Sequence, residues 1–471
     1  MFLSGRGGCQ PVAIYYIVTP MRSRPFSSWL TKIAVFVVAV VLVLLPFHAT
    51  ITVFLSQFVE HYTLLRLWKE MLLVLLAGGT VYIGITRPIV RRQVLGSRLF
   101  WLILAFAAVQ VVWGVIALIR GQVTLKALGY GWIVDMRFLV FFVAVWVLAL
   151  ASPKLARWWP RLVFVPALVV VLFGLLQYFV LPYDFMRHLG YSATTIFPYE
   201  DINHNIHYIR IMSTLRGANP LGAYLVLVIS LFVGWGAQRL VMATKRSYKK
   251  LAIASLYGVA CILALLLTFS RGAWLGLLVS LAILAWMARR HLSPRLVTIC
   301  IAVLCLVLVT LGALTFVTRN STVQNIVLHT EDHSAVATTS NGGHSSALQT
   351  GLNDLLHEPL GRGPGTAGPA SVYNSGHPGR IAENYFVQIG QETGWFGLLL
   401  FIAILVSTAR LLYERRNQVL AAGLLAALAG LTVVSVTSHA WADDTLAYIY
   451  WGLTGIACAM PLLSNDKKLS N

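Results

Sequence analysis

Charged residues are scarce in this sequence, and acidic residues are the scarcest of them. Charged side chains make up 11% of the 471 residues and hydrophobic side chains 58%, whereas a soluble domain has roughly 25% charged and 45–50% apolar residues. This composition excludes a water-soluble globule and a disordered chain. The length allows about a dozen crossings of about 20 residues each. We therefore predict an all-α, polytopic integral membrane protein with about 12 transmembrane helices.

Cysteine is also rare. The five cysteines lie mostly inside apolar runs and show neither metal-ligand spacing nor a paired pattern outside the membrane, so we interpret them as small core residues. Several histidines are predicted to face outward, but they form no HExxH motif or similar spacing. We expect no metal site and no cofactor.

The net charge is strongly positive, because 36 Lys and Arg residues outnumber 16 Asp and Glu residues to give +20. In a soluble protein this excess suggests nucleic-acid binding, but cytoplasmic loops of membrane proteins also collect Lys and Arg. When the N-terminus is placed in the cytoplasm, most basic residues fall in inward segments and nearly all acids fall outward. Both termini are therefore predicted to be cytoplasmic, and no nucleic-acid partner is expected.

Apolar stretches define twelve predicted crossings. They lie at about 33–56, 63–85, 99–119, 137–151, 162–181, 219–238, 251–269, 272–288, 296–317, 386–409, 418–437 and 445–463. The chain then divides into a tail (1–31), nine membrane helices (32–317), an outward loop (318–385), three membrane helices (386–463) and a second tail (464–471). Met21 would be a natural start, so residues 1–20 are expected to be an upstream extension.

Two predicted outward loops are long, at about 182–218 and about 318–385, and loops of this length often carry function. Within the second loop, Leu348, Leu352, Leu355 and Leu356 fall on one face of a helix. We expect a short helix here, which either lies along the membrane surface or only packs on the bundle.

The segment Ser270-Arg271-Gly272 joins two long apolar runs through a tight turn. This turn is expected to hold Arg271 at or below the outer interface, and Gly272 and Gly276 would let a neighbouring helix approach closely. An arginine fixed there suits a bidentate grip on phosphate. The alternative is an arginine that extends toward lipid headgroups.

Arg210 and Arg216 end the first long loop, just before Asn219-Pro220. Asn219-Pro220 predicts a helix start, with Asn219 as the cap and Pro220 in the first turn, and a helix N-terminus favours an anion. Together these features predict a pyrophosphate cradle. The alternative is that these arginines form local ion pairs with Glu200 or Asp201, which stabilise the loop.

Glu383 and Asn384 stand where a helix is predicted to enter the membrane after the second long loop. A carboxylate that is partly desolvated there would have a raised pKa, as a general base requires. The alternative is an acidic residue placed favourably at a helix N-terminus.

Three further groups have weaker signals. Lys69 and Glu70 are adjacent on a predicted helix and should not face each other, so each is expected to have another partner. Asp135 and Arg137 are expected to open the fourth crossing, as structural residues or as a wall of the site. The Gly-rich segment 361–368 lacks the Gly-Lys-Ser/Thr of a P-loop, and we interpret it as a backbone turn that lines the site.

Taken in order, these segments resemble the O-antigen ligase and O-antigen polymerase family of bacterial envelope proteins. The resemblance rests on residues 67–70, 135–137, 213–222, 268–276, 357–365 and 383–397. It implies transfer of a glycan from an undecaprenyl-pyrophosphate carrier to a glycan or lipid acceptor, at the outer face of the bacterial cytoplasmic (inner) membrane, without metal or nucleotide. Membrane lipids are the other expected partners.

The resemblance also implies roles for individual residues. Outward arginines, here Arg271 and Arg210 or Arg216, would hold the pyrophosphate. In many ligases a histidine precedes the asparagine at the tenth crossing and activates the acceptor hydroxyl. Here that position is Glu383, so either Glu383 takes the role, or His377 reaches in, or the chain is not a true ligase.

We add three supporting residues to this predicted site, namely Ser270, Arg362 and Asn384. The predicted function is a metal-independent membrane glycosyltransferase in surface polysaccharide assembly, either a ligase or a repeat-unit polymerase. Two other classes remain open. A transporter or flippase would favour charges deep in several helices and symmetric halves, and the other class is a structural scaffold of the envelope.

Overall fold

The computed structural model of the chain describes residues 25–202, 205–242, 247–289 and 340–461. Its α-helices are α1 (Pro25–Leu44), α2 (His48–Leu55), α3 (Tyr62–Arg66), α4 (Trp68–Thr86), α5 (Pro88–Leu95), α6 (Arg98–Ile119), α7 (Leu125–Ala151), α8 (Lys154–Phe179), α9 (Ala218–Met242), α10 (Tyr248–Leu267), α11 (Arg271–Ala288), α12 (Ser340–His357), α13 (Tyr385–Glu414), α14 (Val419–Thr437) and α15 (Asp444–Ala459). Short 3-10 helices cover Leu45–Phe47, Phe185–Leu189, Gly368–Tyr373 and Ala440–Ala442, and the strands are β1 (Glu200–Ile202) and β2 (Asn205–Arg210).

The described residues include ten helices that are long and apolar enough to cross a membrane. This confirms the predicted all-α, polytopic membrane protein. Every predicted crossing except the ninth falls on one of these ten helices or on the shorter, buried α15. The ninth predicted crossing, at 296–317, lies outside the described residues.

The fourth crossing begins earlier than predicted. Helix α7 begins at Leu125, where the side chain of Thr124 accepts a hydrogen bond from Ala127 N (3.3 Å). Asp135 and Arg137 therefore lie inside the helix rather than at its start. The prediction was wrong because polar residues lower the hydropathy of this stretch, whereas the fold buries them against other helices. Asp135, for example, accepts a hydrogen bond from Tyr385 Oη (3.2 Å).

Helices α11 and α14 pack closely through glycine, as predicted. A Cβ at Gly276 would lie 2.8 Å from the carbonyl oxygen of Gly430, and a Cβ at Gly272 would overlap Thr437 Oγ1. Both positions leave no room for a side chain. The N-terminus of α11 is thereby held against the C-terminus of α14, which places Arg271 beside the turn that leads into α15.

The first long loop contains an antiparallel hairpin that the sequence did not predict. Strands β1 and β2 pair with Glu200 opposite Arg210. The second long loop contains the expected helix, α12, which packs on α13. Of its leucines, Leu355 is buried at 3% exposure, while Leu352 and Leu356 are exposed. The packing face is therefore narrower than the four leucines suggested.

Helix α13 is interrupted at Gly394, where φ is +66°. The interruption exposes backbone groups that bind the Gly-rich segment, since Arg362 N donates to Gln391 O (3.0 Å) and Gly363 N donates to Glu392 O (2.7 Å). Non-helical backbone within a membrane bundle requires such protein partners. The segment 361–368 is thus inserted against α13 rather than placed at the surface.

Candidate functional site

A cavity of about 290 Å³ lies where the hairpin, the start of α9, the residues before α13 and the turn between α14 and α15 meet. We call this end of the bundle the site end. The polar residues that line the cavity are Glu200, Arg216, Asn219, Glu383, Thr437, Ser438, His439 and Asp443. Two of the predicted site residues, Arg216 and Glu383, are therefore brought together from segments far apart in the sequence.

Arg216 is held in the cavity wall by an acidic neighbour. Its Nε donates to Asp443 Oδ2 at 2.7 Å, and its side chain remains 44% exposed. Asp443 is fixed in turn, because its Oδ1 caps α15 by accepting from Leu446 N (3.0 Å). In the described part of the chain this is the one hydrogen bond of Arg216, so its terminal amino groups can serve a ligand.

Arg210 lies beside the cavity and is more fully paired. It donates through Nε to Thr268 O (2.9 Å) and through a terminal nitrogen to Asn219 Oδ1 (2.6 Å), and it lies 3.4 Å from Glu200 Oε2. The alternative of a loop ion pair with Glu200 is thus observed for Arg210. Burial lowers the pKa of this guanidinium, and the Glu200 charge opposes that effect.

Asn219 does not cap α9, because the helix already begins at Ala218. Its side-chain oxygen is occupied by Arg210 instead. The predicted helix start is correct to within one residue, but the predicted role of the asparagine is wrong.

Arg271 and Ser270 lie next to Arg210 at the start of α11. Ser270 is the buried N-cap residue of α11, and Arg271 is the first residue of the helix. Arg271 is close enough to Arg210 for the two positive charges to repel each other. Neither arginine is among the described residues that line the cavity. They flank it and add positive potential at the site end.

Glu383 lines the cavity in an uncommon backbone conformation, with φ at +52°. A non-glycine residue in this region costs of order 1–3 kcal/mol and needs neighbours that hold it there. The next residue, Asn384, holds the backbone in place. Its Oδ1 caps α13 by accepting from Phe386 N and Val387 N, and its Nδ2 donates to Val436 O (3.0 Å). Glu383 is therefore positioned by a cap that also ties α13 to α14.

His439 is a cavity residue for which the sequence suggested no role. Burial, and secondly the charge of Arg216, lowers its pKa to about 4. The imidazole is therefore neutral near pH 7 and can donate one hydrogen bond and accept another. The hydropathy of the sequence predicts an outward turn at His439. It does not predict that Arg216 and Glu383 line the same cavity.

Three predicted features lie away from the cavity. His377 is exposed in the loop before α13, and Arg362 pairs with Glu358 beside the Gly-rich segment. Neither residue, nor any part of segment 361–368, is among the described residues that line the cavity. The Gly-rich turn therefore does not line this cavity, and it fills the interruption of α13.

A second charge cluster lies next to the cavity and is more deeply buried. Lys69 Nζ is 3.0 Å from Asp444 Oδ2, and Arg137 is 3.2 Å from Glu70 Oε1. His48 Nε2 is 3.4 Å from the same oxygen of Asp444. The expected other partners of Lys69 and Glu70 are thus found. However, these two side chains also approach each other to 3.3 Å, contrary to prediction, because both converge on the same partners.

Comparison with known proteins gives one family match. The model of the O-antigen ligase family matches residues 256–402, about a third of the chain. The matched region includes Arg271, Arg362, His377, Glu383 and Asn384, but it ends before His439. A search of curated proteins found no match. The family match confirms the resemblance drawn from the motifs and indicates an O-antigen ligase-like glycosyltransferase that acts in polysaccharide assembly.

Proposed function

We propose that this O-antigen ligase-like protein transfers a glycan from an undecaprenyl-pyrophosphate carrier to an acceptor hydroxyl. The reaction would take place at the outer face of the bacterial cytoplasmic membrane. The observation that carries the proposal is a single cavity that combines a cation, a carboxylate and a neutral imidazole, namely Arg216, Glu383 and His439. The family match supports glycosyl transfer, and the cavity suggests how the two substrates are handled.

Arg216 is the residue best placed to bind the pyrophosphate. Its Nε is fixed by Asp443, so its terminal amino groups are preorganised for a bidentate contact with phosphate oxygens. Negative charge grows on the leaving pyrophosphate as the sugar–oxygen bond breaks, and fixed donors stabilise such charge strongly. Arg210 and Arg271 add positive potential from the side. The proposed reaction uses these arginines in place of a metal ion.

Glu383 is the residue best placed to accept the proton of the acceptor. In the proposed step the acceptor oxygen bonds to the anomeric carbon, the bond from that carbon to the pyrophosphate breaks, and the hydroxyl proton passes to Glu383. The lipid pyrophosphate leaves with the electron pair. His439, which is neutral, can orient the hydroxyl by a hydrogen bond. We assign this role to Glu383 rather than to His377, because Glu383 lines the cavity and His377 does not.

The distribution of basic residues supports the proposed orientation. The other end of the bundle carries Arg91 and Arg92 in the short helix α5, and Lys154 at the start of α8. Basic segments between membrane crossings favour the cytoplasm. The site end is therefore proposed to face outward, where a lipid-linked glycan is presented after it has crossed the membrane.

The pool of lipid-linked glycans in a strain that lacks the gene tests this proposal, with the wild-type gene returned on a plasmid as the control. Accumulation of long polymer on the carrier, measured by mass spectrometry, would indicate a ligase. Accumulation of single repeat units would indicate a polymerase. If neither accumulates and the purified protein instead moves glycan into vesicles, the transferase proposal is wrong and the transporter alternative is correct.

A further inference from the structure

A second and larger cavity, of about 800 Å³, lies at the start of α8. Helix α8 reaches the site end at Gly174, whose position packs on Ser213. Lys154 is 20 residues earlier, which is about 30 Å along a helix at 1.5 Å per residue. This cavity is therefore remote from the transfer site, at the end predicted to face the cytoplasm.

The wall of this cavity is cationic. Lys154, Arg157 and Arg161 line it and are exposed. Their spacing of three and four residues puts them on one face of α8. Among the described residues, none of the three forms an ion pair with a carboxylate, and the cavity lining contains no acidic side chain. Three uncompensated positive charges around one cavity favour an anionic occupant.

The rest of the cavity is aromatic and apolar. Trp158 and Phe164 line it from α8, and Trp235 lines it from α9. The rings of Phe164 and Trp235 have centroids 5.5 Å apart, so the floor is packed. Lys154 Nζ lies 5.8 Å from the centre of the Trp158 ring. Tryptophan and lysine together are typical of the level at which headgroups meet acyl chains.

An apolar stripe leads out of the cavity along the same face of α8. It consists of Val165, Leu168, Val169 and Leu172, whose exposed fractions are 60%, 41%, 49% and 50%. Cations at one end and a continuous exposed apolar face beyond them match an amphiphile.

We propose that this cavity is a binding site for an anionic phospholipid of the cytoplasmic leaflet. The headgroup phosphate would lie between Arg157 and Arg161, and the acyl chains would follow the stripe that begins at Val165. Basic pockets between membrane helices on the cytoplasmic side are suited to such headgroups. The proposal concerns a different end of the molecule from the transfer site and does not depend on that reaction.

Native mass spectrometry of the full-length protein, titrated with phosphatidylglycerol in detergent, tests the site. The double variant R157Q/R161Q should bind this lipid about 25-fold more weakly, because each basic residue near an anionic headgroup contributes about a fivefold effect. R157K/R161K keeps the charge and should retain most of the binding. L168N/L172N removes two apolar residues of the stripe and should lower the affinity for the lipid. It should not change how much lipid inorganic phosphate displaces.

R91Q/R92Q is the matched control, because it removes two exposed arginines of α5 outside the cavity. It should change lipid binding less than about twofold, since it leaves the proposed site intact. Equal losses in the two double variants would show diffuse surface charge and overturn the proposal. So would equal wild-type affinities for phosphatidylglycerol and zwitterionic phosphatidylethanolamine. Displacement of the lipid by inorganic phosphate at similar concentrations would show a simple anion site and would also overturn it.

Discussion

Asp443 and Asp444 are adjacent in the chain but belong to two charge clusters with different properties. Asp444 belongs to a closed cluster with His48, Lys69, Glu70 and Arg137, in which each cation lies within 3.8 Å of a carboxylate oxygen and Lys69 is only 3% exposed.

Asp443 belongs to an open cluster with Arg216, Glu383 and His439 around the cavity, where Arg216 keeps 44% of its side chain exposed. Charges that satisfy one another hold helices together, whereas charges that remain accessible can bind a substrate. The difference predicts that variants of the closed cluster affect folding and that variants of the open cluster affect transfer.

The largest effect is expected in the closed cluster. D444N would leave Lys69 and Arg137 without a carboxylate that both now contact, and breaking one partner of a buried ion pair costs about 3–5 kcal/mol. We expect little folded protein, measured by thermal unfolding in detergent and by abundance in membranes. The control is D184N, since Asp184 pairs with the exposed Arg187 at 3.6 Å and should cost about 0–1 kcal/mol. Equal unfolding temperatures for the two variants would contradict the comparison.

In the open cluster, R216A should lower the transfer rate about 10²–10³-fold, the usual effect of removing one donor to developing negative charge. R216K keeps the positive charge but lacks the planar pair of donors, so it should fall between R216A and wild type. Initial rates are compared at equal amounts of folded protein. R187A removes an exposed arginine elsewhere and serves as the control. If R216A loses folded protein but retains its rate per folded molecule, Arg216 belongs with the closed cluster.

His439 predicts a smaller, pH-dependent effect on stability. Its pKa is lowered from 6.5 to about 4 in the folded protein, so between these values the unfolded state binds more protons and stability falls as the pH falls. Thermal unfolding from pH 7 to pH 4.5 should therefore show a smaller decrease for H439Q than for the wild type. Parallel curves for the two proteins would show that His439 remains equally accessible to protons after folding.

The smallest effects are expected at His377 and Arg362, two predicted site residues that lie away from the cavity. H377A and R362A should leave the transfer rate within about twofold of wild type, because surface substitutions away from a site have small effects. A large loss of transfer with H377A would show that the loop before α13 carries this exposed histidine into the site during the reaction. That result would restore the alternative in which His377 activates the acceptor.

The sequence predicted the fold well because membrane helices depend mainly on local hydropathy. It also singled out Arg216 and Glu383, which the structure places in one cavity wall, and Asn384, which the structure shows to cap α13, from their positions at predicted helix entries. It misplaced the start of α7, because Asp135 and Arg137 are satisfied by residues distant in the sequence. Hydropathy carries no information on such partners.

The same limit explains what was missed in the site. His439 lies in a turn between two apolar helices, and it shares the cavity with Arg216, which is more than two hundred residues away in the chain. Asp443 was likewise not singled out, although it fixes Arg216 in the cavity wall. The Gly-rich segment was assigned to the site because glycine signals an unusual backbone, but its conformation serves the interruption of α13 at Gly394.

The rate of glycan transfer by E383Q tests the central claim most directly. The substitution keeps the size of the side chain and removes its ability to accept a proton. Purified full-length protein would be given a lipid-pyrophosphate-linked glycan and an acceptor, with E414Q, at the exposed far end of α13, as the control. We predict a loss of about 10²–10⁴-fold for E383Q with unchanged donor binding, and no loss for E414Q. Turnover by E383Q within about twofold of wild type would show that Glu383 does not accept the proton, and the proposed mechanism would be wrong.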